Sequence, residues 1–131
     1  MRYEGRHLRR VAAYPGAIAN GASLGVTNVT TPDDNYPKTL VAAYITPSTA
    51  LLRLQISGGG FQFEDLDASR CAAGNWPIAM NEPFPAYILI AYNVINNTGG
   101  SVTPVVTFEY EPATSAAAVS RAPAGTVPPG A

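Results

Sequence analysis

Ala86-Tyr87-Ile88-Leu89-Ile90-Ala91-Tyr92-Asn93-Val94-Ile95-Asn96 is the stretch on which the fold is read. Side chains alternate along an extended chain, so Ile88, Ile90, Tyr92 and Val94 share one face. Tyr87, Leu89, Ala91 and Ile95 share the other, interrupted by Asn93. A strand apolar on both faces is either central in a packed sandwich or covered by another subunit. Tyr87 and Tyr92 fall on opposite faces, so at least one face presents a tyrosine outside an ordinary core.

Downstream, Asn97-Thr98-Gly99-Gly100 has the residue types of a hairpin loop. Val102 to Tyr110 is predicted to return, with Val102, Val106, Phe108 and Tyr110 on one face. Pro104 lacks an N–H and predicts an edge or a bulge near the start of that strand. Upstream, Leu52, Leu54 and Ile56 alternate with Arg53, Gln55 and Ser57, the pattern of a strand over Ala50 to Ser57 with one wet face. Gly58-Gly59-Gly60 predicts a bulge or tight corner, because glycine takes backbone angles that other residues avoid. Phe61 to Leu66 resumes, with Phe61 and Phe63 on one side. Ser23 to Thr30, Lys38 to Thr46 and Trp76 to Met80 are further strands. Residues 8 to 14 form an arm strand, and Asp67 to Ala73 a loop or one helical turn. Seven or eight short strands at near-even spacing predict an all-β protein, an antiparallel β-sandwich or jelly roll.

The ends differ from the body. Residues 1 to 22 are predicted as a basic N-terminal arm, residues 23 to 111 as the sandwich, and residues 112 to 131 as a Pro/Ala-rich C-terminal extension. The extension is too poor in large apolar residues to fold alone, and its prolines favour an extended path. Arg2, Arg6, Arg9 and Arg10 stand against Glu4, whereas residues 11 to 111 are acidic. A basic arm and an acidic body suit head-to-tail association, which makes the four arginines candidate partner-binding residues. With no other basic patch, nucleic acid is the weaker partner. Charged residues make up 13% of the chain, about half of the usual ~25%. So few charges leave apolar surface for neighbouring subunits to cover. No apolar run approaches a membrane span, no secretory signal is visible, and Cys71 alone forms no internal disulfide.

No reaction chemistry is legible, and no cofactor or metal is expected. His7 lies among arginines without a partner to position it. Cys71 is read as a plain loop or core thiol, and zinc would need more Cys and His than the chain carries. Asp33-Asp34-Asn35 and Glu64-Asp65-Leu66-Asp67 lack calcium-loop spacing and are read as solvated loop acids. Gly58-Gly59-Gly60 lacks the Lys-Ser/Thr of a phosphate loop. Trp76 and the tyrosines suit a protein- or sugar-binding surface, with Tyr87 and Tyr92 the candidates.

Glu82-Pro83-Phe84-Pro85, the strand Tyr87 to Val94, the turn Asn96 to Gly100 and its return strand resemble small virion proteins of tailed bacteriophages. The likeness is to capsid decoration or cement proteins, and the Lys38 to Ser57 pair with its Thr46-Pro47-Ser48-Thr49 turn shares it. What the resemblance implies is a structural, non-enzymatic protein of the virion, assembled in the host cytoplasm. It would form homo-oligomers, often trimers, that clamp the major capsid protein through arms and loops. Deleting residues 1 to 12 is then expected to leave the body folded and abolish assembly. The other readings are a carbohydrate- or receptor-binding module of tail-spike or adhesin type, and a small enzyme using carboxylates such as Glu64 and Glu82.

Overall fold

A computed structural model describes residues 8–71 and 78–113. Among them are eight strands and one 3-10 turn, Ala68–Cys71. The strands are β1 (Arg9–Ala13), β2 (Thr27–Val29), β3 (Lys38–Thr46), β4 (Leu52–Gly58), β5 (Phe61–Asp67), β6 (Ile78–Phe84), β7 (Ile90–Asn96) and β8 (Val105–Pro112). They form two four-stranded antiparallel sheets, ordered β1-β8-β3-β6 and β2-β7-β4-β5. First strand pairs with last, second with seventh, third with sixth, and fourth with fifth. This is a long hairpin rolled up so that successive pairs alternate between sheets, the topology of a jelly roll.

The rolling changes two expected hairpins. β7 and β8 lie in different sheets, so Asn97 to Gly100 carries the chain across the sandwich. Thr46 to Thr49 does the same between β3 and β4. The β4–β5 pair is a true hairpin: Gly58 lies opposite Phe61, and Gly59 and Gly60 both have positive φ. That is the backbone a two-residue loop needs to follow the strand twist.

β3, β4, β7 and β8 turn alternate apolar residues inward, with bulges where the alternation slips. In β3, Leu40 pairs with Tyr110 and Ala42 with Glu109, leaving Val41 as the extra residue. The shift lets Leu40 on one side of it, and Ala43 and Ile45 on the other, all reach the core. In β5, Phe63 is the extra residue between the Ser57–Gln62 and Ile56–Glu64 pairs. β7 is central in its sheet, and Ile90, Tyr92 and Val94 are buried as their shared face requires. Tyr92 meets Phe108 of β8 across the core, ring centroids 5.8 Å apart. Residues 86–89, expected within this strand, form the turn before it. Glu82, Pro83 and Phe84, expected before a strand, belong to edge strand β6, where a proline breaks no interior ladder.

The described part of the N-terminal segment is no loose arm. β1 pairs with β8 over five residues, from Arg9 opposite Tyr110 to Ala13 opposite Val106. Ile18 bridges Val102, and Ser23 bridges Ile95. The sandwich therefore includes residues 9–22, and the arm boundary expected at residue 22 is corrected. Apolar Val11 and Ile18 have core to bury against, which is why the segment is held.

Candidate functional site

Arg2, Arg6, His7 and Trp76 lie outside the described residues. Arg10 is already engaged within its own chain, its guanidinium donating to Glu109 Oε2 at 2.5 Å. Arg9 Nε lies 3.6 Å from Asp33 Oδ2. Both side chains remain more than half exposed, so they carry charge at the surface while tethering β1. Tyr92 is 2% exposed and belongs to the core, which corrects its assignment as a contact residue. Burial pushes its hydroxyl pKa up. Tyr87 is 75% exposed. Cys71 is buried against the core, and burial raises its pKa, so it is an inert thiol.

The loop acids are mostly structural. Asp65 accepts from Arg53 Nε at 2.9 Å. Asp67 accepts from the Ser69 N–H and hydroxyl and from the Leu51 N–H. Desolvation pushes its pKa up, but these hydrogen bonds and Arg53 outweigh it and hold the carboxylate low. Asp33, expected to be solvated, is buried and accepts from the Tyr110 hydroxyl at 2.8 Å. Asp34 caps its own loop through the Thr31 N–H and hydroxyl. Behind it Lys38 is fully buried, its Nζ 3.8 Å from Asp34 Oδ1 and without a hydrogen bond. Desolvation lowers its pKa, against the pull of Asp34 and Asp33. An amine sealed in this way meets no substrate, so we read it as a structural charge. Among the described residues, no group of three or more His, Cys, Asp or Glu is placed to hold a metal ion.

The surface best suited to recognition lies where edge strands β5 and β6 approach each other. Phe61, Phe63, Glu82, Phe84, Pro85 and Ile88 line a shallow groove there. Its geometry follows from Gly58. A Cβ at that position would run into the Phe84 ring, so only glycine lets the ring lie on the β4 backbone. Phe63 meets Phe84 edge-on at 5.7 Å. Phe61, at the hairpin tip, is 70% exposed. The enclosed part is about 50 Å³, far below the ~300–1,000 Å³ of small-molecule pockets. It holds a side chain or a ring edge, not a whole ligand.

Tyr87 follows directly, in a turn closed by the Ile88 N–H to the Pro85 carbonyl. Its φ is 70° at the third turn position, which ordinarily takes Gly or Asn. Its N–H donates to the Asp34 carbonyl at 2.7 Å, pinning the turn to the β2–β3 loop. The same end of the sandwich holds Leu8, which is exposed, and Ala113. Lys38 lies opposite both Pro112 and Phe84, so the last residue of β8 is two strand positions from the groove.

No protein-family model matches the chain, and no curated protein matches it significantly. Sequence reasoning singled out Tyr87, which the structure leaves exposed, and did not find the groove. Phe61 and Phe84 lie in strands from different sheets, and the only local signal was an aromatic-proline run beside a glycine triplet.

Proposed function

We propose that the protein is a structural subunit of a virion, of the capsid decoration or cement type. The single observation that carries this reading is the jelly-roll strand order joined to exposed aromatic surface at one end. Jelly rolls recur in capsid proteins, lectins and cupins, so the fold leaves the choice to the surface. Here Asp33 and Asp34 hold their loop, and exposed aromatic rings offer contact area beside the surface charges of Arg9 and Arg10. Such a surface suits adhesion to protein. The homo-oligomer and the major capsid protein remain the partners of this reading.

The test is co-purification. Particles from cultures expressing the chain should carry it through a density gradient, with cross-links to the major shell protein. Recovery only in the soluble fraction, with particles free of it, sinks the reading. The exposed rings of Tyr14, Phe61 and Tyr87 favour one second reading, a module that stacks on sugar faces. Saturable binding on a glycan array, lost on Tyr87→Ala, would support that reading instead.

A further inference from the structure

Asn20-Gly21 is the chain's one Asn-Gly pair. Such a pair is open to deamidation, because glycine has no side chain to hinder attack by its backbone nitrogen on the asparagine amide. The reaction balances with water alone. Gly21 N gives up its proton and bonds to Asn20 Cγ, and Nδ2 leaves with that proton as ammonia. Water then opens the cyclic succinimide to aspartate or isoaspartate. Asn20 is exposed, so water reaches it.

The fold restrains the attacking nitrogen. The Ala22 N–H donates to the Ala19 carbonyl at 3.0 Å, and Gly21 has a φ of 80°. Asn20 and Gly21 thus fill the centre of a turn whose third position takes glycine. The Gly21 N–H donates to the Asn96 carbonyl at 2.6 Å. Deprotonating it there would set a negative nitrogen against carbonyl lone pairs. Asn20 Oδ1 accepts from the Gly99 N–H at 2.8 Å, which steers the side chain toward the β7–β8 crossover. That donation also polarises the amide, so the held nitrogen is the barrier. The buried Asn96 side chain clamps the same corner, donating to the Ile18 and Gly100 carbonyls.

We propose that Asn20 is a deamidation site gated by this corner, converting when the turn parts from Asn96. Such openings are local and cost less than unfolding the whole domain. The product does not revert. Isoaspartate adds a carbon to the backbone before Gly21, so its N–H no longer meets Asn96 in register, and an opened corner stays marked. The modification needs only water and the fold, and it stands apart from the virion reading.

The experiment incubates the full chain at neutral pH in ¹⁸O-labelled water, native and unfolded in urea. Trypsin under mildly acidic conditions releases Val11 to Lys38, and mass spectrometry reads the label gained at Asn20. Conversion in the native chain should be at least about tenfold slower than in urea. Asn96→Ala, which removes the clamp, should speed the native rate about tenfold. Thr98→Val removes only a hydroxyl that donates to Asn96 Oδ1, and should speed it about threefold. That milder variant carries the test if Asn96→Ala does not fold. Gly58→Ala loosens the opposite end of the β4–β7 ladder, and should leave the native rate within about twofold. Equal rates in the native and unfolded chain overturn the proposal. So does a native rate that neither Asn96→Ala nor Thr98→Val raises, or one that Gly58→Ala raises as much, since conversion would then follow global unfolding.

Discussion

Tyr87 sits at a φ that costs an ordinary side chain about 1–2 kcal/mol, and its ring is spent on solvent. Tyr87→Gly should leave thermal stability unchanged or raise it by up to about 1 kcal/mol, glycine's own entropy taking back part of the relief. On the proposed virion reading, the same change should weaken assembly, measured by sedimentation. A variant that loses stability and keeps assembly would make Tyr87 a packing residue. Gly58→Ala should act oppositely: it drives Phe84 out of place, costing about 1–3 kcal/mol in a denaturant melt. Lys38 tests the buried charge. Its pKa is lowered by desolvation in the fold. Between that value and the unfolded one near 10.4, the unfolded chain binds the extra proton. Stability from this group therefore rises with pH through that window. Cys71, Tyr92 and Tyr110, raised by burial, oppose it at alkaline pH. Lys38→Met combined with Asp34→Asn, which removes both charges and keeps an acceptor for Thr31, should be neutral or stabilising by up to about 4 kcal/mol at neutral pH. The difference between the two proteins should shrink as pH rises through the lysine's window.

At the scale of elements, the crossover from β7 to β8 hangs on one amide. Asn96 is fully buried; its Nδ2 donates to the Ile18 and Gly100 carbonyls at 2.8 and 2.7 Å. Its Oδ1 accepts from the Thr98 N–H and hydroxyl. One side chain thus ties the segment after β1 to the loop that changes sheets. Asn96→Asp keeps the shape but turns a donor into an acceptor facing two carbonyls. It should cost more than about 2 kcal/mol in equilibrium unfolding, with faster exchange of the Ile18 and Val102 amides. The turn-forming role of Asn96 to Gly100 was legible from residue types. Its destination was not, since the same residues serve a hairpin or a change of sheet.

At the scale of the molecule, first and last strands are neighbours, and that revises what an N-terminal truncation does. Removing residues 1 to 12 deletes most of β1, with Val11 and the Arg10–Glu109 pair, and bares the β8 edge. The expected outcome is a lower melting temperature and aggregation through the open edge, not a folded body that merely fails to assemble. Light scattering during a melt reads both. An unchanged melting temperature would show that β1 contributes nothing to the fold.

The sequence by itself determined the class of fold and the inward faces of β4 and β8. Alternation is a local property, so Leu52, Leu54 and Ile56, or Val106, Phe108 and Tyr110, declare their side without knowing their neighbours. Which strands pair, and therefore what stands at the surface, came only with the tertiary structure. Pairing between β1 and β8 joins residues about a hundred positions apart, and no local pattern encodes a partner at that distance. For the same reason Tyr92 and Tyr87, read on opposite faces of one strand, were equal candidates for contact until the sandwich closed over one and left the other in solvent.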